Sequence, residues 1–387
     1  MGARTCFKPA FVSFVAIALT LLPVLTAQEQ DRAQIRSNAM ALEQQGQNAE
    51  AEQIWSDIAK ANPGDAEALA HLGLLEARQE RFESAIEDYR KAIAIKPNLP
   101  GLQMNLGLAL FKVAQFPEAI KSFSSEIRKH PGDPRLTILL GMAHYGMKDY
   151  LVAIPYLKRA TEGDLQSVPL RLALAHSCMR GKQYQCVLKV HKEMVALKLA
   201  SAEADMLAGE ALDQLGDSAG AIKELRAAVA ADPNQPNVHF GLGYLLWTGH
   251  NWGEAAKEFQ LELQNDPGHP KASIYLADSW VEQSESAKAL PELEKLVASN
   301  KSEPTVHLDL GIIYGQSGRT DDAIRELRIA EQIDPEDLRF HIQIAKLYES
   351  IGKREEANSE LERARRLPLR GRAPLEELID ALESPTP

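Results

Sequence analysis

The side chains of this 387-residue sequence that could do chemistry on their own are few and scattered. Cys178 and Cys186 stand eight residues apart, a spacing that allows a disulfide in an oxidising compartment and equally allows two small buried hydrophobes. The ten histidines form neither a Cys/His zinc arrangement nor two ligands one helical turn apart, so each is expected at the surface. His176 stands out only because its place in the chain aims it at an inner face. Gly241-Leu242-Gly243 is a fragment of a dinucleotide fingerprint without its third glycine or its strand. The acidic pairs Asp321-Asp322 and Glu355-Glu356 fall where helices start, and negative charge there suits the helix dipole. Nucleophile elbows, phosphate loops and zinc-protease helices are absent from the sequence. The expectation is a chain with no catalytic residue, no cofactor and no metal.

Contact chemistry is better represented. Met104, Leu108 and Phe111 follow one another at spacings of four and three, as do Ile138, Met142 and Tyr145, and Phe240, Tyr244 and Trp247. Such spacing puts each trio on one face of a helix. Methionine adapts to irregular partners and aromatic rings give large contact areas, so these faces suit an apolar or amphipathic segment. The competing reading is that the same faces pack against the next element of the chain.

The elements that would carry them are set by an internal period. Pro63, Pro97, Pro131, Pro233, Pro267 and Pro335 are separated by 34 residues or its multiples, and Pro100, Pro134, Pro236, Pro270 and Pro304 keep the same period three residues later. Proline ends one helix and fits the first turn of the next. Ten units result: 32–65, 66–99, 100–133, 134–167, 168–201, 202–235, 236–269, 270–303, 304–337 and 338–371. Each holds two helical patterns. The glycines of the first pattern, Gly73 and Gly107 among them, are expected to face the small residues Ala85 and Ala119 of the second, letting paired helices approach closely. The larger residues that follow, such as Tyr89 and Phe123, are core.

Departures from the frame are local. In the fifth unit Cys186 comes one residue early and Leu199 replaces the closing proline, which predicts a shortened helix. Pro155 and Pro291 are expected near helix N-termini, where few intrahelical bonds are lost.

The succession Leu72-Gly73, Ala85, Tyr89, Ala92, Pro97, and its counterpart Leu310-Gly311, Tyr314, Ala323, Leu327, Ala330, Pro335, resembles the tetratricopeptide repeat. The resemblance covers residues 32–371. It implies an all-α, right-handed superhelical solenoid of antiparallel helix pairs, about ten repeats long, whose inner wall is built by the first helix of each pair. The three trios lie on that wall. Known peptide-binding members clamp a terminal carboxylate with Lys, Arg and Asn; the matching Arg36, Asn105, Lys112, Arg135 and Arg180 form no cationic cluster, and no such clamp is expected.

Residues 1–27 read as a secretory signal peptide. Arg4 and Lys8 precede an apolar run from Ala10 to Leu22, and Leu25-Thr26-Ala27 offers a small-residue cleavage site. A retained N-terminal membrane anchor is the alternative. Residues 28–31 are a linker, and 372–387 a capping helix with a loose tail. Cleavage removes two positive charges and no negative one, taking the net charge from −11 to −13. So acidic a chain, without a dense basic run outside Arg363 to Arg372, argues against nucleic acid.

The sequence therefore predicts an exported, periplasmic or secreted, non-enzymatic scaffold or assembly factor of the cell envelope. Its partners are other proteins or peptide segments, with no membrane span after cleavage and an oligomeric state left open. The alternatives are a non-catalytic substrate-binding or regulatory subunit of an envelope enzyme, and a self-assembling structural protein.

Overall fold

Each 34-residue repeat breaks twice, once between its two helices and once near its closing position, and the chain is helical between the breaks. The computed structural model describes residues 30–299 and 303–368, and among the described residues there are twenty α-helices and no strand. The signal segment, residues 28 and 29 of the linker, and the C-terminal capping helix and tail lie outside the described residues; residues 30 and 31, expected as linker, are instead the start of the first helix.

The chain divides into two compact bodies, one ending at Gly163 and the other beginning at Asp164. The first contains α1 (30–44), α2 (Asn48–Ala61), α3 (Ala66–Arg78), α4 (Phe82–Ile95), α5 (Leu102–Lys112), α6 (Phe116–Lys129), α7 (Pro134–Gly146) and α8 (Tyr150–Gly163). The second contains α9 (Val168–Arg180), α10 (Tyr184–Ala196), α11 (Ala202–Gln214), α12 (Ser218–Ala231), α13 (Val238–Thr248), α14 (Trp252–Asn265), α15 (Ala272–Glu282), α16 (Ser286–Ala298), α17 (Pro304–Gln316), α18 (Thr320–Ile333), α19 (Leu338–Ser350) and α20 (Arg354–Arg366). Odd-numbered helices open the repeats and pack against the even-numbered helices that follow them.

Local chemistry fixes these boundaries. Asp65 accepts a hydrogen bond from the Ala68 N–H at 3.1 Å and caps α3; Asp133, Ser167, Ser201 and Asp337 cap α7, α9, α11 and α19 from the same repeat position. The turn inside each repeat needs one left-handed residue, at Gly46, Glu80, Ala114, Lys148, Lys182, Gly216, His250, Ser284, Gly318 and Gly352, all in phase on the 34-residue period. The next residue then donates back five positions, as Arg81 N–H does to the Glu76 carbonyl at 2.9 Å, satisfying the end of the helix.

The glycines of the first helices serve a closer contact than the alanines expected of them. A Cβ on Gly107 would stand 2.5 Å from the Phe123 ring, and one on Gly73 would stand 2.8 Å from the Tyr89 ring. The large residue sixteen positions on thus packs directly onto the glycine of its own hairpin, which offsets the roughly 1 kcal/mol a helical glycine costs.

Two proline expectations are corrected. Pro155 and Pro291 stand at the sixth residues of α8 and α16, past the first turn, so each removes one intrahelical bond. Pro134 and Pro304 do open helices, but Pro100, Pro236 and Pro270 stand two residues ahead of them. Left-handed Gly101 and Asn237 intervene in two of those three cases. In the fifth repeat α10 has 13 residues against 14 in α8 and α12, and left-handed Lys198 follows it in a repeat without the closing proline that six others carry.

Candidate partner-binding face

In the first body the inner helices α3, α5 and α7 bury one side against their hairpin partners and leave the stripe partly open. Leu108 is 38% exposed, and Met104, Phe111, Ile138, Met142 and Tyr145 are half-buried. Met40, at 37% exposure, and half-buried Leu74 continue the same stripe on α1 and α3. The surface is therefore apolar, rich in methionine and reachable. Its aromatic members are also held from behind: the Phe111 ring meets Phe116 edge-on at 5.5 Å, and Tyr145 meets Tyr150 in the same way at 6.0 Å. Such pairs fix ring orientation.

A hollow of about 620 Å³ opens beside this stripe, lined by Met104, Asn105, Glu126, Asp133 and Arg135 among others. Arg135, which lines this hollow, and Arg36, which lines a separate one, are both already engaged. Arg135 Nη2 lies 2.7 Å from Asp133 Oδ2, and Arg36 pairs with Asp65 and, at 2.7 Å, with Glu67. These carboxylates neutralise two of the five residues at carboxylate-clamp positions.

The stripe of the second body is in the opposite state. Phe240 is fully buried, Tyr244 is 2% exposed and Trp247 is half-buried, so the expectation that this trio forms accessible groove wall is corrected: Phe240 and Tyr244 are core, and Trp247 packs against them. Tyr275 from α15 packs against all three, with its ring centroid 6.0 Å from Phe240, 5.4 Å from Tyr244 and 5.0 Å from Trp247. The Trp247 indole N–H donates to Asp278, which is itself buried. Burial lifts the Asp278 carboxyl to about 6, and neighbouring Asp309, fully enclosed, is raised well above the usual carboxylate range by burial and by Asp278. Met206, Glu210 and Asp213 on α11, and Ile274 and Val281 on α15, occupy the same stripe and are buried as well.

Cys178 at the end of α9 and Cys186 in α10 come together as a disulfide, with Cα atoms 5.8 Å apart. It ties the hairpin of the most divergent repeat.

The surface expected for the histidines is wrong for four of the ten. His239, His269, His307 and His341 are at most 5% exposed. Three follow one rule: Nδ1 of His239 lies 2.6 Å from Glu258, and His307 and His341 stand 2.7 Å from Glu326 and Glu360, each partner nineteen residues on. The imidazole on the odd helix thus meets a carboxylate on the even helix. That recurrence is visible in the sequence once the period is known. His269 instead accepts backbone N–H bonds at the start of α15, and burial lowers it to about 4, leaving it neutral. His176 meets Glu203 at 2.6 Å. His191, Asp205 and Glu224, from α10, α11 and α12, bring three ligand-type atoms within 4.8 Å of one another. They are the residues that could hold a metal, and the reading of the histidines in isolation missed them.

No helix among the described residues is long and apolar enough to cross a membrane. A family model described as tetratricopeptide repeat matches residues 37–100, 104–167, 206–270 and 276–337. No curated protein matches the sequence. Among solved structures, MamA from Desulfovibrio magneticus is 19% identical, over 47% of this chain and 97% of its own, with a TM-score of 0.38. The human IFIT1 dimer with PPP-AAAA is 16% identical over 85% and 88%, with a TM-score of 0.36. The Cut9–Hcn1 hetero-tetramer of the APC/C is 17% identical over 77% and 58%, with a TM-score of 0.43.

Proposed function

The chain belongs to the tetratricopeptide-repeat family, whose arrays are in general non-catalytic protein-interaction scaffolds, and from that premise we propose that it is a scaffold of the cell envelope holding an apolar or amphipathic segment of a partner protein on the inner face of its first body. The observation that carries this reading is the accessible stripe of Met104, Leu108, Phe111, Ile138, Met142 and Tyr145. Charged residues are nearly absent from it, while methionine and aromatic side chains give it the adaptable contact area of a peptide-binding surface. The N-terminal basic residues, apolar run and small-residue site support export, and the net charge of −11 favours a protein over a nucleic-acid partner.

The test is site-specific photocrosslinking in the native envelope. A photoreactive residue in place of Leu108 or Met142 should capture one partner in the envelope fraction. The same residue in place of Leu151, 61% exposed on the outer helix α8, should not. Equal capture from all three positions, or none from the first two, would sink the assignment. Leu108→Gln should weaken that capture about tenfold, the usual effect of removing one well-placed apolar contact.

A further inference from the structure

The sixth repeat departs from the His/Glu rule in a way that creates a different site. In the seventh, ninth and tenth repeats one imidazole faces one carboxylate, at His239–Glu258, His307–Glu326 and His341–Glu360. At the same repeat position the sixth has Asp205, and its partner nineteen residues on is still a carboxylate, Glu224. Two acids therefore face each other across α11 and α12, and Asp205 is only 7% exposed. The histidine comes instead from the preceding repeat: His191 Nε2 on α10 lies 2.7 Å from Asp205 Oδ1 and 3.8 Å from Glu224 Oε2.

We propose that His191, Asp205 and Glu224 form a binding site for a first-row divalent cation of the Zn²⁺ type. One imidazole nitrogen and two carboxylate oxygens, each from a different helix, make a borderline ligand set that suits such an ion better than Ca²⁺ or Mg²⁺, which prefer all-oxygen sites. The three atoms lie within 4.8 Å of one another. At metal–ligand lengths of about 2.0–2.2 Å, ligands in a tetrahedral set stand about 3.4 Å apart, so side-chain movements of roughly 1 Å complete the geometry. Charge points the same way. A single imidazolium offsets one of the two carboxylates, and the other nearby cation, Lys223 at 3.2 Å from Glu224 Oε1, is mostly in water. A divalent ion on a neutral imidazole balances both. His191 and Glu224 are half-buried, which leaves one side open for entry and for a water as fourth ligand.

The ion would pin α10 to the α11–α12 hairpin, the place where the shortened fifth repeat meets the sixth. Its role is that of a stitch between repeats, beside the disulfide that ties α9 to α10.

Calorimetric titration of the chelator-treated full chain with Zn²⁺ tests this. One equivalent should bind, and Asp205→Asn and Glu224→Gln should each weaken binding at least about tenfold, by loss of a ligand. Glu258→Gln, which breaks an ordinary His–Glu pair, should leave binding unchanged. Circular dichroism establishes that each variant folds; should Asp205→Asn fail to fold, His191→Gln at the less buried ligand takes its place and should show the same loss. With Co²⁺ as a second probe, the visible bands of the bound ion should vanish in His191→Gln. Absence of saturable one-to-one uptake overturns the site, and so does equal weakening by Glu258→Gln or uptake indifferent to the three ligand variants.

Discussion

Leu108 and Tyr244 occupy the same position of the repeat, four repeats apart, yet the first is 38% exposed and the second 2%. The difference comes from the next inner helix. Where the second body places Tyr275 against Phe240, Tyr244 and Trp247, the first body has Leu139 at the equivalent position. The larger ring of Tyr275 covers all three aromatic side chains, whereas the shorter Leu139 packs against the core and leaves Leu108 38% exposed. At this pair of repeats what the next inner helix presents sets how open the stripe is, and the richest aromatic trio in the sequence is for that reason poorly available to a partner.

The sharpest way to break this comparison is Phe240→Ala. Its side chain is fully enclosed, within contact range of Phe259, Tyr275 and His269, so truncation should cost about 3–5 kcal/mol. A urea melt followed by helical circular dichroism would show the loss. A cost below about 1 kcal/mol would mean that the ring is surface after all.

The next effect depends on pH. Burial raises Asp278 from its ordinary value to about 6 and Asp309 well above its own, with Glu282 adding repulsion and Arg339 opposing it. The folded state therefore holds protons that the unfolded chain releases. Stability from this pair is fully present below the unfolded carboxylate range and is lost as pH rises through about 6, a fall on the order of 2 kcal/mol between pH 5 and 8. Urea midpoints across that range should fall in the wild type and much less in Asp278→Asn. The remaining slope belongs in part to Glu76 of the first body, which burial and nearby Asp88 lift to about 7. An unchanged slope in Asp278→Asn would remove the buried pair from the comparison.

Much of this was legible in the sequence. The proline period gave the repeats, the Leu-Gly pairs gave the first helices, and spacings of four and three picked out the inner stripe. Burial on that stripe was not legible, because it depends on what the next repeat presents, and periodicity within one helix carries no such information. Tyr275 sits off the stripe itself, so the spacing of four and three does not point to it. The histidines were misread for a related reason. A residue usually at the surface becomes buried when a carboxylate nineteen positions later meets it, and that pairing is a property of the hairpin rather than of a local motif. His191, Asp205 and Glu224 lie still further from local reading, since they come from three helices of two repeats.

The smallest effect is expected where the function is proposed. Leu108 stands on α5 among half-buried neighbours, while the buried side of that helix is carried by Leu102, Leu106, Ala109 and Leu110. Glutamine is nearly as good a helix former as leucine, so Leu108→Gln changes little beyond a partly exposed contact. Its cost in a urea melt should be under about 1 kcal/mol, several times less than that of Phe240→Ala at a stripe position of the second body. If Leu108→Gln unfolded the chain as readily, the two inner faces would be alike, and loss of partner capture in that variant would report folding instead of contact. If it melts like the wild type and loses its partner, the open face of the first body is where the scaffold works.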